Sequence, residues 1–170
     1  MHDAALHSSL AAGGPHHLLH RLVGRWEGRV RTWFEPDALA DDSPIRGECR
    51  AVLGARFVQH EYETCLKGAP LHGVALHGFD LQARRFVTSW VDEFHMGTGV
   101  MLLEGRPDPE VGSGFEVAGS YADPTGGPRW GWRIGLELEG DDRLAITHWN
   151  VTPGGIAARA IEIRYVRVPG

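Results

Sequence analysis

Cysteine is scarce in this chain. Cys49 and Cys65 are its only two in 170 residues, too few for a disulfide scaffold and without the Cys-x-x-Cys spacing of a zinc or redox site. No apolar run approaches the 18 residues that a membrane-spanning helix needs. Lys67 is the single lysine among 17 basic residues, and 22 acidic residues bring the formal charge to −5. The arginines form no stripe, so binding to nucleic acid through net charge is excluded. Also missing are a Gly-x-Ser-x-Gly elbow, a phosphate-binding loop and a dinucleotide fingerprint. The first fourteen residues lack the basic and apolar stretches of a signal peptide. They are expected to form a flexible tail, residues 1–14, before a single domain over 15–168 of a cytoplasmic bacterial protein with two free thiols.

Glycine and tryptophan are plentiful, at 23 and 6 residues. Pro15 can open a helix, and Leu18, Leu19, Leu22 and Val23 follow at helical spacing until Gly24 stops it. From Gly24 onward the period changes to two. Trp26, Val30 and Phe34 alternate with Glu27, Arg29, Arg31 and Trp33, as in a strand with one buried face.

The alternation recurs between turn signals, and predicts strands near 25–35, 45–53, 56–66, 71–79, 85–92, 95–105, 114–121, 130–139, 143–151 and 156–167. Only the connection 36–44 is longer than a hairpin needs. Ten antiparallel strands in chain order would leave two exposed edges in an open sheet and none in a closed one. Glycines inside the strands, such as Gly28, Gly47 and Gly73, supply the bends of a curved sheet. The expected fold is an all-β, up-and-down, calycin-like barrel with a short N-terminal helix over one mouth.

Strand parity then selects the side chains that face the lumen. His60, Tyr62, Trp90, Trp132, His148, Asn150 and Tyr165 form the candidate ligand-binding set, mostly aromatic with a few polar groups. Trp26, Trp90, Trp130 and Trp132 fall on the inward parity, Trp33 and Trp149 on the other. Ten histidines invite a metal reading, but His16, His17 and His20 have no acidic partner at zincin spacing. On a strand, His60 and Glu61 point to opposite faces. No protein metal site is expected.

The segment His16 to Glu27, followed by Pro36, Arg50-Ala51-Val52-Leu53-Gly54, His77-Gly78-Phe79-Asp80, Trp90-Val91-Asp92, Glu104-Gly105 and Ile163-Arg164-Tyr165-Val166-Arg167, resembles the bacterial domain-of-unknown-function family 1579 (DUF1579). The likeness covers about residues 16–167. The Gly24-Arg25-Trp26 opening also resembles the calycin superfamily: lipocalins, fatty-acid-binding proteins and the haem protein nitrobindin. These resemblances imply an eight- to ten-stranded barrel around a cavity, in a family without an established reaction. The nitrobindin likeness would imply haem on one histidine, His148 or next His95. That family places its haem histidine near the C-terminus, whereas Ile156 to Arg167 contains none.

No cofactor is predicted. The function expected is binding of a small, partly hydrophobic ligand inside the barrel, without catalysis and without nucleic-acid or membrane partners. Three alternatives stand beside it. One is an isomerase- or decarboxylase-like enzyme using a buried histidine as general acid or base, marked by His148 or His60 on a buried carboxylate. Another is the haem protein. The last is a filled-barrel interaction protein, with Trp33 and Trp149 as a homodimer patch.

Overall fold

A computed structural model describes residues 2–170. Helices α1 (His2–Leu10) and α2 (Pro15–Arg21) precede ten strands: β1 (Gly24–Glu35), β2 (Ala38–Val52), β3 (Phe57–Leu66), β4 (Ala69–Asp80), β5 (Arg85–Asp92), β6 (Met101–Glu104), β7 (Gly114–Tyr121), β8 (Trp130–Glu139), β9 (Arg143–Val151) and β10 (Ala157–Arg167). Each strand pairs antiparallel with its chain neighbours, and β10 returns to β1, so the sheet closes into an up-and-down barrel. The expected fold class is therefore the observed one.

The core is the inward parity of nearly every strand, from Trp26 and Val30 on β1 to Ile161, Ile163 and Tyr165 on β10. The outward parity carries ion pairs such as Arg29 and Arg31 on Asp42 and Arg164 on Glu139. Gly28 shows why a small residue is needed where β1 meets β10, because a Cβ there would strike the Arg164 carbonyl.

α2 covers one end of the barrel, burying Leu18 and Leu19. Its exit is locked by a cross-chain contact. Trp26 Nε1 donates to the Leu22 carbonyl at 2.9 Å, and the Arg167 guanidinium lies over the same indole at 4.1 Å. Arg167 also donates to the carbonyls of Arg21, Val23 and Asp141 at 2.5–2.6 Å. Chain start and chain end are thereby fastened at the closed floor.

Three elements differ from the sequence reading. Residues 2–10, expected as tail, form α1, which buries Leu6 and Ser9; Ser9 Oγ and His16 Nδ1 are hydrogen-bonded at 2.7 Å and tie α1 to α2. The expected connection 36–44 shrinks to Pro36-Asp37, with Asp37 at φ 61, and β2 begins at Ala38. Its polar residues Asp41 and Asp42 fall in the span expected as a connection, but Asp42 faces out to meet arginines on β1. The expected strand 95–105 contracts to Met101–Glu104, because Asp92 turns the chain: its Oδ1 accepts the amides of Phe94 and His95.

Candidate functional site

The barrel's other end is open. Here the β1–β10 seam stops at Thr32↔Ile161. Register shifts lie on both sides of the gap, between Thr32 and Trp33 on β1 and between Arg159 and Ile161 on β10. A β-bulge adds a residue, bends its strand and re-aims the side chains beyond it. The two strand ends thus part, and a cavity of about 350 Å³ opens between them.

Its floor is the pair Trp90 and Trp132, stacked at 5.5 Å and 14°. Trp33, Met96, Met101 and Ala160 add apolar wall, and Tyr121, Asn150 and His95 supply polar groups. Tyr121 donates its hydroxyl to Asn150 Oδ1 at 2.7 Å. That bond leaves the Asn150 amide nitrogen free to donate into the cavity. Arg159 lies 5.3 Å over the Trp33 ring and is paired to Glu162.

Beneath the tryptophans the lumen is nearly full. A void of about 20 Å³ touches Tyr62, His148 and His95, too little for any ligand beyond a water molecule. His148 Nδ1 accepts the Trp132 indole N–H at 3.1 Å, and Tyr62 accepts the Trp90 indole N–H at 2.9 Å. These two bonds set the stacked rings in place. Burial drives Tyr62 above the usual phenol range and lowers His148 to about 3, so both are uncharged at neutral pH.

The seven sequence-selected residues thus separate by depth. Trp90, Trp132 and Asn150 line the mouth cavity, and Tyr62 and His148 support its floor. His60 and Tyr165 lie deeper, bonded to each other at 3.2 Å and bordering neither space. Burial pushes His60 down to about 4 and Tyr165 well above its ordinary value.

Trp33, read as outward, belongs to the cavity because of the bulge beside it. Trp149 is outward, half-buried under Arg133 at 4.5 Å. Arg159 is the cross-strand partner of Trp149 and lies over the Trp33 ring, so it stands between the two. His148, first choice as a haem ligand, is a poor fit for one: its Nδ1 accepts the Trp132 N–H, which places the ring proton on Nε2 and leaves no lone pair for iron, and it does not border the mouth cavity. Among the described residues, neither His148 nor His60 is hydrogen-bonded to a carboxylate; their partners are Trp132 and Tyr165. Two other histidines are so bonded: His72 on Glu93 at 2.9 Å, both exposed, and, beside the cavity, His95 on Asp92 at 2.5 Å. Its sequence signal was an inward-parity carboxylate ending β5, with a histidine three residues on. Among the described residues no group of three metal-ligating side chains occurs, and no helix is long and apolar enough to cross a membrane.

A closed antiparallel barrel with one helix-capped end and one cavity-bearing mouth is the architecture of the lipocalin-like barrel proteins. Within that class, the chain belongs to the family described as "Protein of unknown function (DUF1579)", which matches residues 11–167. Solved structures that share the fold include the following two. Rv2717c from M. tuberculosis superposes with a TM-score of 0.62 at 14% identity, covering 92% of this chain and 99% of that one. The S-type phycobiliprotein lyase CPES from Guillardia theta gives 0.55 at 12% identity, covering 91% and 92%. No curated protein matches significantly.

Proposed function

We propose that this protein binds one small, flat, partly hydrophobic molecule in the mouth cavity. The observation that carries the reading is the aromatic enclosure itself: about 350 Å³ between the Trp90–Trp132 floor and Trp33, with a few polar groups converging on it. That size and lining are those of small-molecule sites. The fold shared with a phycobiliprotein lyase and with Rv2717c agrees with a ligand-sized barrel, and the reading rests on the cavity.

Roles follow from depth. Trp90 and Trp132 stack on the ligand, Asn150 orients a polar group, and His148 and Tyr62 hold the floor rigid. His60 and Tyr165 act only through core packing. A cytoplasmic location is supported by two thiols that form no disulfide; burial pushes the Cys49 thiol up to about 12, which keeps it inert.

Native mass spectrometry of freshly purified protein, with a tryptophan-fluorescence titration by anilinonaphthalene sulfonate, tests the reading. A retained small mass, or saturable one-to-one quenching, is expected. Bare protein mass together with unchanged emission overturns it.

A further inference from the structure

Asp92 ends β5 on the parity of Phe86, Thr88 and Trp90, and its side chain is 1% exposed. So buried a carboxylate needs donors. It has three: the amides of Phe94 and His95, at 3.1 and 2.5 Å, and His95 Nδ1 at 2.5 Å. Burial by itself would raise Asp92, but these bonds and the adjacent imidazole together hold it below 3.8. Asp92 is thus ionised at neutral pH, and His95 Nδ1–H donates to it.

That bond sets the tautomer. With the proton on Nδ1, the neutral ring presents a lone pair at Nε2. Nε2 has no partner among the described residues and is not among the sealed polar atoms, and the ring borders the mouth cavity. Trp90 and Trp132, with centroids 5.5 and 5.8 Å away, fix its position at the edge of the stacked floor. His95 borders both this cavity and the small void beneath the tryptophans, so a flat ligand seated on the floor comes up against the imidazole.

We propose that the Asp92–His95 pair is a proton-accepting site for an acidic hydroxyl, a phenol or enol carried by a planar ligand, and holds that ligand as its oxyanion. The proposal rests on the mouth cavity being a binding site. On binding, the ligand O–H bond breaks, its electron pair stays on oxygen, and the proton forms Nε2–H; nothing is oxidised or reduced. The imidazolium then lies between the oxyanion and Asp92, so each new charge has a partner.

The other titratable groups around the pair are His148 and Tyr62, both uncharged through burial, Cys65 on the small void beneath, Tyr121 on the cavity wall, raised chiefly by burial, and Glu93, exposed and bonded to His72. Arg159 and Glu35 stand on the cavity wall. The Arg159 cation, held over Trp33, favours an oxyanion over an ammonium ligand, and Glu35 is exposed at the rim.

The test uses 4-nitrophenol, whose phenolate absorbs visible light and whose phenol does not, beside 4-nitroanisole, which has no such proton. At a pH where free nitrophenol is mostly protonated, adding the protein should raise the phenolate band in step with tryptophan quenching. Nitroanisole should bind at least tenfold more weakly. His95→Gln and Asp92→Asn, the latter keeping an acceptor for both turn amides, should still be quenched by nitroanisole yet show no phenolate band. Equal binding of both probes without the band, or a band unchanged in His95→Gln, overturns the proposal while leaving the cavity reading intact. Preferential binding of haemin with a His95-dependent Soret band, and none of nitrophenol, overturns it too. Failure of both probes to quench at all defeats the cavity reading as well.

Discussion

Arg167, on the last strand, holds its guanidinium 4.1 Å over the indole of Trp26 on the first. The same group donates to three backbone carbonyls, two of them at the α2–β1 junction. Hydrogen bonds from a charged donor contribute about 1.5–3 kcal/mol each when partly buried, and a cation over an indole adds about 1. Their sum is reduced by solvent and by the entropy of holding the side chain. Arg167→Met should therefore cost about 2–4 kcal/mol, lowering the urea midpoint at constant slope. Arg167→Lys, one point charge in place of a fork, should recover less than half of that. A midpoint within error of the parent would show the contact to be ornamental.

Acid should unfold this barrel through its interior histidines. Burial holds His60 at about 4 and His77 and His148 at about 3, against 6.5 ordinarily. Below 6.5 the unfolded chain takes up protons that the folded state refuses, so the stability is complete above 6.5 and is lost as pH falls to 4 and on towards 3. With three such groups the slope approaches about 4 kcal/mol per pH unit. Asp92 acts in the same direction but only below its ordinary 3.8. Tryptophan fluorescence followed during acid titration should show a cooperative transition at roughly pH 4–6, with nearly three protons taken up. A melting temperature constant from pH 7 to 4 would contradict this.

Filling the mouth should separate binding from folding. Ala158 lines the cavity on β10 and is half-buried, so a phenyl group can enter the space without displacing the core. Ala158→Phe is expected to weaken anilinonaphthalene sulfonate binding at least tenfold, with a melting temperature within about 4 °C of the parent. Parent-like affinity in this variant would place the dye elsewhere.

The docking of α1 depends on the Ser9 hydroxyl, bonded to both the ring and the amide of His16, and on one apolar side chain, Leu6. Ser9→Ala removes both Ser9–His16 bonds, a loss of about 1–2 kcal/mol that falls on α1 more than on the barrel. Hydrogen exchange of the α1 amides should accelerate severalfold while the strand amides keep their protection. Equal protection would mean that Leu6 burial alone suffices.

Period-two alternation and regular turns were enough to read ten strands, their antiparallel order and the closure of the sheet, because side chains of a strand alternate faces whatever the surroundings. The Gly24-Arg25-Trp26 junction was equally legible, since a helix stop followed by an inward indole is local chemistry. Asp41 and Asp42 misled, because polar residues at a strand end look like loop until arginines on β1 are seen beside them.

The site itself was decided by tertiary structure. Parity assumes unbroken register, and the shifts near Trp33 and Ala160 break it where the mouth cavity forms, bringing Trp33 in. Parity also ranks residues by face and not by depth, so it put His60 and Tyr165, sealed in the core, on a par with Trp90, Trp132 and Asn150 at the mouth. The Asp92–His95 pairing exists only because a buried carboxylate turns the chain and folds the histidine back over the barrel's open end. The sequence alone thus determined the barrel, through a repeat that each strand carries within itself. Where the barrel is hollow, and which imidazole faces the hollow, depended on bulges and a turn whose geometry arises from contacts between strands far apart in the chain.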